Sequence, residues 1–139
     1  MKWLDVAAGT GMVAEEFAKA SIKFGASLAL DQSTSMLKIA QDTNLYDFQV
    51  SHDISQKLPF LDNEFDLLTM IGASDYMDCR WGFLQEFARV VKPGGLMIFS
   101  VRDDDLPYHF WTDNVTEMID GGFLEELEGP FRHTPRPFK

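Results

Sequence analysis

Residues 4–11, LDVAAGTG, run an apolar segment into two glycines one residue apart, and beyond them the chain changes period. Residues 3–8 read as a short buried strand. Residues 12–20 then set Val13, Phe17 and Ala20 on one side and Glu15, Glu16 and Lys19 elsewhere, which is helical spacing. A strand delivered through a glycine turn into a helix opens a β-α-β unit, and no other stretch limits the fold as strongly.

The alternation repeats. Residues 27–30 form a second strand ending at Asp31, with Ser33 or Thr34 placed to cap a helix carrying Met36, Leu37 and Ala40. Residues 46–50 predict a third strand, and LPFLDNEF a loop with turn chemistry at Asp62-Asn63. Residues 65–71 are nearly all apolar, as suits a strand covered on both faces. Residues 81–91 predict an amphipathic helix with Leu84, Phe87, Ala88 and Val91 on its apolar side, stopped by KPGG. Residues 96–101 predict a fifth strand, residues 110–119 a helix ending at Gly121-Gly122, and residues 123–127 a last strand. This pattern predicts an α/β fold: a doubly wound, mostly parallel sheet with helices on both faces. The 139 residues make one domain, with its motifs in residues 3–102 and a less regular tail over 103–139.

In such sheets ligands bind beyond the carboxyl ends of the strands. Asp5, Gly9 and Gly11 cluster at the first of these ends. The spacing Gly9-x-Gly11-x-x-Ala14, with Asp31 20 residues past Gly11, meets a loose dinucleotide pattern and keeps a nicotinamide cofactor open. Asp5 argues the other way. A pyrophosphate seeks backbone donors and the positive end of a helix, and an acid beside that loop repels it. A cationic ligand is attracted, directly or through ordered backbone and water. S-adenosylmethionine fits: a sulfonium, an ammonium, a ribose and an adenine, with no phosphate.

LDVAAGTG resembles the first motif of class I S-adenosylmethionine-dependent methyltransferases. Three further stretches follow in the family's order: LALDQSTSMLKIAQ, HDISQKLPFLDNEFDLLTMI and FARVVKPGGLMIFS. The resemblance covers about residues 3–102 and is nearest to the ubiquinone/menaquinone-type branch. More narrowly, IGASD and KPGGL resemble methyltransferase-like proteins named after the Williams–Beuren syndrome chromosome region. It implies a Rossmann-like sheet and methyl transfer to a small-molecule acceptor. It further implies cofactor contacts at Asp5, Ala7, Gly9 and Gly11, ribose hydrogen bonds to Asp31, and adenine reading by Asp53 and the Ile54 N–H. Met36, close after Asp31, joins this set. Ala7 replaces the first glycine of the family's usual triplet, and both residue types are small. Helical chain usually precedes the family's first strand, and here two residues do. The expectation is therefore a truncated form whose sheet is incomplete at its edges.

Structural roles compete at each position. Asp5 also suits bonding to loop N–H groups, and Asp31 suits the N-terminus of the following helix. His52 and Asp62 are alternatives to Asp53 within the motif spacing. For substrate chemistry the candidates are Asp75 and Tyr76, after the fourth strand, and His109 beside Tyr108 and Trp111. RDDD at residues 102–105 reads as an exposed acidic loop. In-line displacement at a sulfonium needs close positioning of the two centres, and a base is optional. No His/Cys set has metal-ligand spacing, so no metal is expected.

The net charge of −10 argues against a nucleic-acid partner, whose phosphates need a basic footprint. No stretch is long and apolar enough to span a bilayer, so no membrane partner is expected. The single cysteine, Cys79, cannot form an internal disulfide and fits a reducing, cytoplasmic setting. A non-catalytic cofactor-binding remnant and a nicotinamide-dependent oxidoreductase are the rival readings.

Overall fold

The computed structural model describes residues 1–73, 82–101 and 106–125, with the backbone alone for 106–111. Its elements run β1 (Lys2–Val6), α1 (Met12–Lys19), β2 (Ala26–Asp31), α2 (Thr34–Asp42), β3 (Phe48–Ser51), β4 (Phe65–Met70), α3 (Phe83–Val90), β5 (Val91–Phe99) and α4 (Leu106–Asp120). The strands form one sheet in the order β3-β2-β1-β4-β5, and every pairing is parallel. β1 lies between β2 and β4, where the order reverses. In doubly wound sheets ligands bind at such a reversal, which here lies at the carboxyl end of β1.

Two apolar layers sandwich the sheet. On one face Ala14 of α1 and Leu37 and Ala40 of α2 pack with Trp3, Ala29, Tyr46 and Leu67. Phe17 and Phe24 close on Trp3, each with ring centroids 4.9 Å away. On the other face Phe83, Leu84, Phe87 and Val90 of α3 and Met118 of α4 pack with Leu4, Val6, Leu30, Leu68 and Met70. β4 is buried along nearly its whole length, which is why FDLLTM reads as one apolar run. The doubly wound fold predicted from the alternation is the one observed, and among the described residues β3 and β5 are the outer strands of a sheet that does not close.

Several boundaries differ from expectation. β1 ends at Val6 because Ala7 turns into the left-handed region, at φ 54°. β3 starts at Phe48: Tyr46 is buried beneath α2, and the Asp47 carboxylate accepts the N–H and the hydroxyl of Ser27. KPGG does not separate helix from strand. α3 passes directly into β5 at Val91, and KPGG is a bulge within that strand. Phe65 pairs with Val91 but Leu67 pairs with Leu96, so residues 92–95 loop out opposite Asp66.

The expected strand at residues 123–127 is absent over 123–125, and residues 126 and 127 lie outside the described residues. The Phe123 and Leu124 N–H groups turn back to the Met118 carbonyl and finish α4, so neither is free to join a ladder. The β3–β4 connection lies against α3, gripped by one side chain. Arg89 donates to the carbonyls of Leu58 and Phe60 and to the carboxylates of Asp62 and Glu86, while Glu86 accepts the Leu58 N–H. Among the described residues no helix is long and apolar enough to cross a membrane.

Candidate functional site

The strand ends bring the first motif together as a crossed pair. After β1 the backbone takes positive φ at alternate residues: Ala7 at 54°, Gly9 at 58° and Gly11 at 95°. The two glycines have different reasons to be glycine. A Cβ on Gly11 would lie 3.3 Å from the Tyr46 ring and 3.6 Å from Ala40 Cβ, so packing and conformation both favour its absence. A Cβ on Gly9 would meet nothing within 4 Å. That residue faces open space, where a ligand can approach the backbone.

Asp31, at the end of β2, holds this loop. Its Oδ2 accepts the Gly9 N–H at 2.9 Å and its Oδ1 accepts the Ser33 N–H at 2.9 Å. The expected role at the N-terminus of α2 is thus realised through one oxygen, while the other oxygen holds the glycine loop. A carboxylate has about four acceptor positions, so half remain for a ligand's hydroxyls. Ser33 caps α2 by accepting the Met36 N–H, and the half-exposed Met36 lies in the first turn of that helix. The His52 N–H donates to the Asp31 carbonyl at 3.1 Å and draws the segment after β3 to the same end.

In that segment Asp53 Oδ1 accepts the Ser55 N–H at 2.9 Å and its hydroxyl at 2.7 Å. These bonds hold the Asp53 carboxyl below the usual carboxylate range. Ile54 packs on the core formed with α3 and α4. The two sequence alternatives to Asp53 are engaged elsewhere. The His52 ring lies 2.9 Å from the Lys57 carbonyl, and Asp62 pairs with Arg89 at 2.9 Å.

Asp5 departs from expectation. It is 1% exposed and bonds no loop N–H. Its partners are hydroxyls: Tyr46 donates to Oδ2 at 2.5 Å, and Thr69 of β4 donates to Oδ1 at 2.7 Å. The Trp3 indole N–H donates in turn to the Thr69 oxygen at 2.8 Å. The reason is pleat. Asp5 points to the α1 and α2 face of the sheet, beneath the loop rather than into it. Burial pushes its carboxyl up to about 6, against the two hydroxyl bonds, which lower it. The same burial beside an acid drives the Tyr46 phenol up. Among the described residues neither Asp5 nor Asp31 has a lysine or arginine partner. The crevice is therefore negative, with one anion beneath the loop and one beside it.

Ala7, Gly9, Gly11, Asp31 and Met36 thus gather at the carboxyl ends of β1 and β2, with Asp53 and Ile54 following β3. Tyr46 and Thr69 were missed from sequence. Thr69 left a readable trace, since a lone hydroxyl in a buried apolar strand needs a polar partner. Tyr46 left none, because its partner lies 41 residues away. Asp75 and Tyr76 lie outside the described residues, as does the His109 side chain. A groove of about 480 Å³ between α3 and α4 is lined by Gln85, Ala88, Arg89, Glu117, Met118 and Phe123. It lies on the opposite face of the sheet from α1 and α2 and contains none of the site residues above.

Residues 4–99 match the family model described as a methyltransferase domain. The chain is 38% identical over 135 residues to the ubiquinone/menaquinone biosynthesis C-methyltransferase UbiE of Burkholderia orbicola, covering 91% of this chain and 56% of that protein. It therefore spans little more than half the length of the curated relatives it matches. Among solved structures, a putative methyltransferase of Bacillus halodurans superposes with a TM-score of 0.61 at 29% identity, over 88% of this chain and 54% of that one. A SAM-dependent methyltransferase of Aquifex aeolicus shares the fold, with a TM-score of 0.63 at 24% identity, over 88% of this chain and 71% of that one.

Proposed function

The chain belongs to the methyltransferase-domain family, and from that premise we propose that it binds S-adenosylmethionine at the β1–β2 crevice and methylates a small-molecule acceptor. One observation carries the reading: the two anions, Asp5 and Asp31, flank a loop whose Gly9 faces open space. A dinucleotide pyrophosphate would meet repulsion there, whereas a ligand with a cationic centre and a ribose finds complementary charge and hydroxyl acceptors. The residues present fit the cofactor.

Asp31 would accept the ribose hydroxyls on its remaining lone pairs while keeping Gly9 in place. Gly9 and Gly11 would let the backbone close on the ligand, Ala7 would line the turn, and Met36 would offer an apolar surface beside it. Asp53, held in its turn by Ser55, and the Ile54 N–H would read the adenine edge. Asp5 would act from beneath, favouring positive charge in the crevice without touching it. The cofactor, when bound, supplies an electrophilic methyl group on a sulfonium sulfur. The chain's share of the chemistry is orientation and field, which can supply much of the rate in a direct displacement.

The Burkholderia relative is named as a C-methyltransferase of ubiquinone/menaquinone biosynthesis, so a carbon nucleophile is the acceptor atom we put first. The charge of −10 supports a partner other than nucleic acid, and the sequence character supports a cytoplasmic setting. A second reading is cofactor binding without catalysis.

The test is calorimetric titration of the chain with S-adenosylhomocysteine, beside NADH and an Asp31→Ala variant. Binding of the first ligand and not of NADH, weakened at least tenfold in the variant, is expected. Preferential binding of NADH would overturn the reading. Methyl transfer to a carbon acceptor would then separate the enzyme from the binding protein.

A further inference from the structure

We propose that Tyr46, in the turn ahead of β3, is a positioning residue of this site: its hydroxyl keeps Asp5 an anion beneath the glycine loop while its ring sets the height of Gly11. The inference rests on the cofactor reading above and extends it to a residue with no motif of its own.

One side chain makes both contacts. The Tyr46 hydroxyl lies 2.5 Å from Asp5 Oδ2, and its ring edge would be 3.3 Å from a Cβ on Gly11. The ring is fixed from behind by Trp3, at 5.4 Å between centroids. The other donor to Asp5 is fixed as well. Thr69 receives the Trp3 indole N–H on its oxygen, so its own proton is left for Asp5 Oδ1. Two aimed hydroxyls therefore converge on one carboxylate.

That geometry favours charge. A carboxylate with a donor on each oxygen loses a bond, or must reorient one hydroxyl, when it takes up a proton. The other acidic neighbours oppose ionisation. Asp31 on β2 repels a charge on Asp5, and Glu15 on α1 repels negative charge at Tyr46. With no lysine or arginine paired to it among the described residues, Asp5 depends on Tyr46 and Thr69 to remain an anion inside the protein. Removing one donor should raise the pH at which the crevice loses its charge.

The experiment measures binding of S-adenosylmethionine and of S-adenosylhomocysteine by calorimetry between pH 5 and 7.5. It uses the full chain as wild type, Tyr46→Phe and Thr69→Val, each checked by thermal melting at every pH. In the wild type, affinity for the sulfonium ligand should fall as pH drops through about 6, where Asp5 takes up its proton. In Tyr46→Phe that midpoint should rise by about one pH unit, so that near pH 6 the variant binds several-fold more weakly than wild type. The thioether ligand, which lacks the sulfonium charge, should be affected less. Thr69→Val should move the midpoint in the same direction, which keeps the question open to measurement if Tyr46→Phe does not fold.

Superimposable pH profiles, or an equal loss for both ligands at every pH, would overturn the inference and leave Tyr46 a packing residue. If the wild-type chain, shown to be folded, binds neither ligand, the cofactor reading itself falls and the inference falls with it.

Discussion

Ala7 occupies a backbone conformation that its side chain resists. At φ 54° the Cβ crowds the following carbonyl, which costs an L-residue roughly 1–2 kcal/mol, and the family's first motif usually has glycine there. Ala7→Gly should therefore stabilise the chain, by up to about 1 kcal/mol once the glycine's greater freedom when unfolded is subtracted. A higher urea midpoint with an unchanged slope would confirm it. An unchanged or lower midpoint would mean that neighbouring contacts already absorb the strain. This residue also marks how far individual positions were legible. Small size was readable at position 7, but the sign of φ was not, because composition says nothing of dihedral angle. Asp31 was readable from its distance to the glycines. The surroundings of Asp5 were not, since both of its donors arrive from distant strands and loops.

The elements were legible wherever period and burial agreed. Among the described residues the five strands and four helices each overlap the segments that alternation and helical spacing predict. The misreadings fall at boundaries decided by long-range pairing and at residues 123–125, which finish α4 where a strand is expected. KPGG has the chemistry of a turn, and it does form an irregularity. Yet Val91 has already paired with Phe65, so the turn residues bulge within a strand instead of preceding it. The two glycines of that bulge make a test. A Cβ on Gly95 would lie 2.5 Å from Val91 Cγ1, 2.9 Å from the Lys92 carbonyl and 3.0 Å from that of Asp66, while one on Gly94 would meet nothing within 4 Å. Gly95→Ala should destabilise by about 1–3 kcal/mol through crowding. Gly94→Ala should cost nearer 1 kcal/mol, through its φ of 80° alone. Thermal denaturation of the pair would decide it, and equal losses would count against the bulge geometry.

For the whole molecule, the doubly wound architecture was legible and the character of its outer strands was not. Phe48 on β3 is 60% exposed, and Ile98 on β5 is 43% exposed. Their apolar character does not announce this, because a strand's apolar residues do not reveal whether a neighbour covers them. Outer strands bearing apolar side chains are prone to self-association, and charge placed on them suppresses it. Phe48→Lys should lower concentration-dependent association in sedimentation velocity and leave stability within about 0.5 kcal/mol. Association unchanged by the substitution would point away from β3.

The buried carboxylate at the centre of the sheet has a consequence for how the molecule comes together. Asp5 lies on β1, one of its donors comes from the turn leading into β3, and the other from β4 on the far side. Neither the half built from β1, β2 and β3 nor the half built from β4, β5 and their helices can complete that environment alone. A chain with one half misassembled would leave the buried Asp5 carboxylate short of a hydrogen-bond donor. The polar triad thus ties the two halves of the sheet together, and its completed hydrogen bonds mark a molecule whose halves have docked in register.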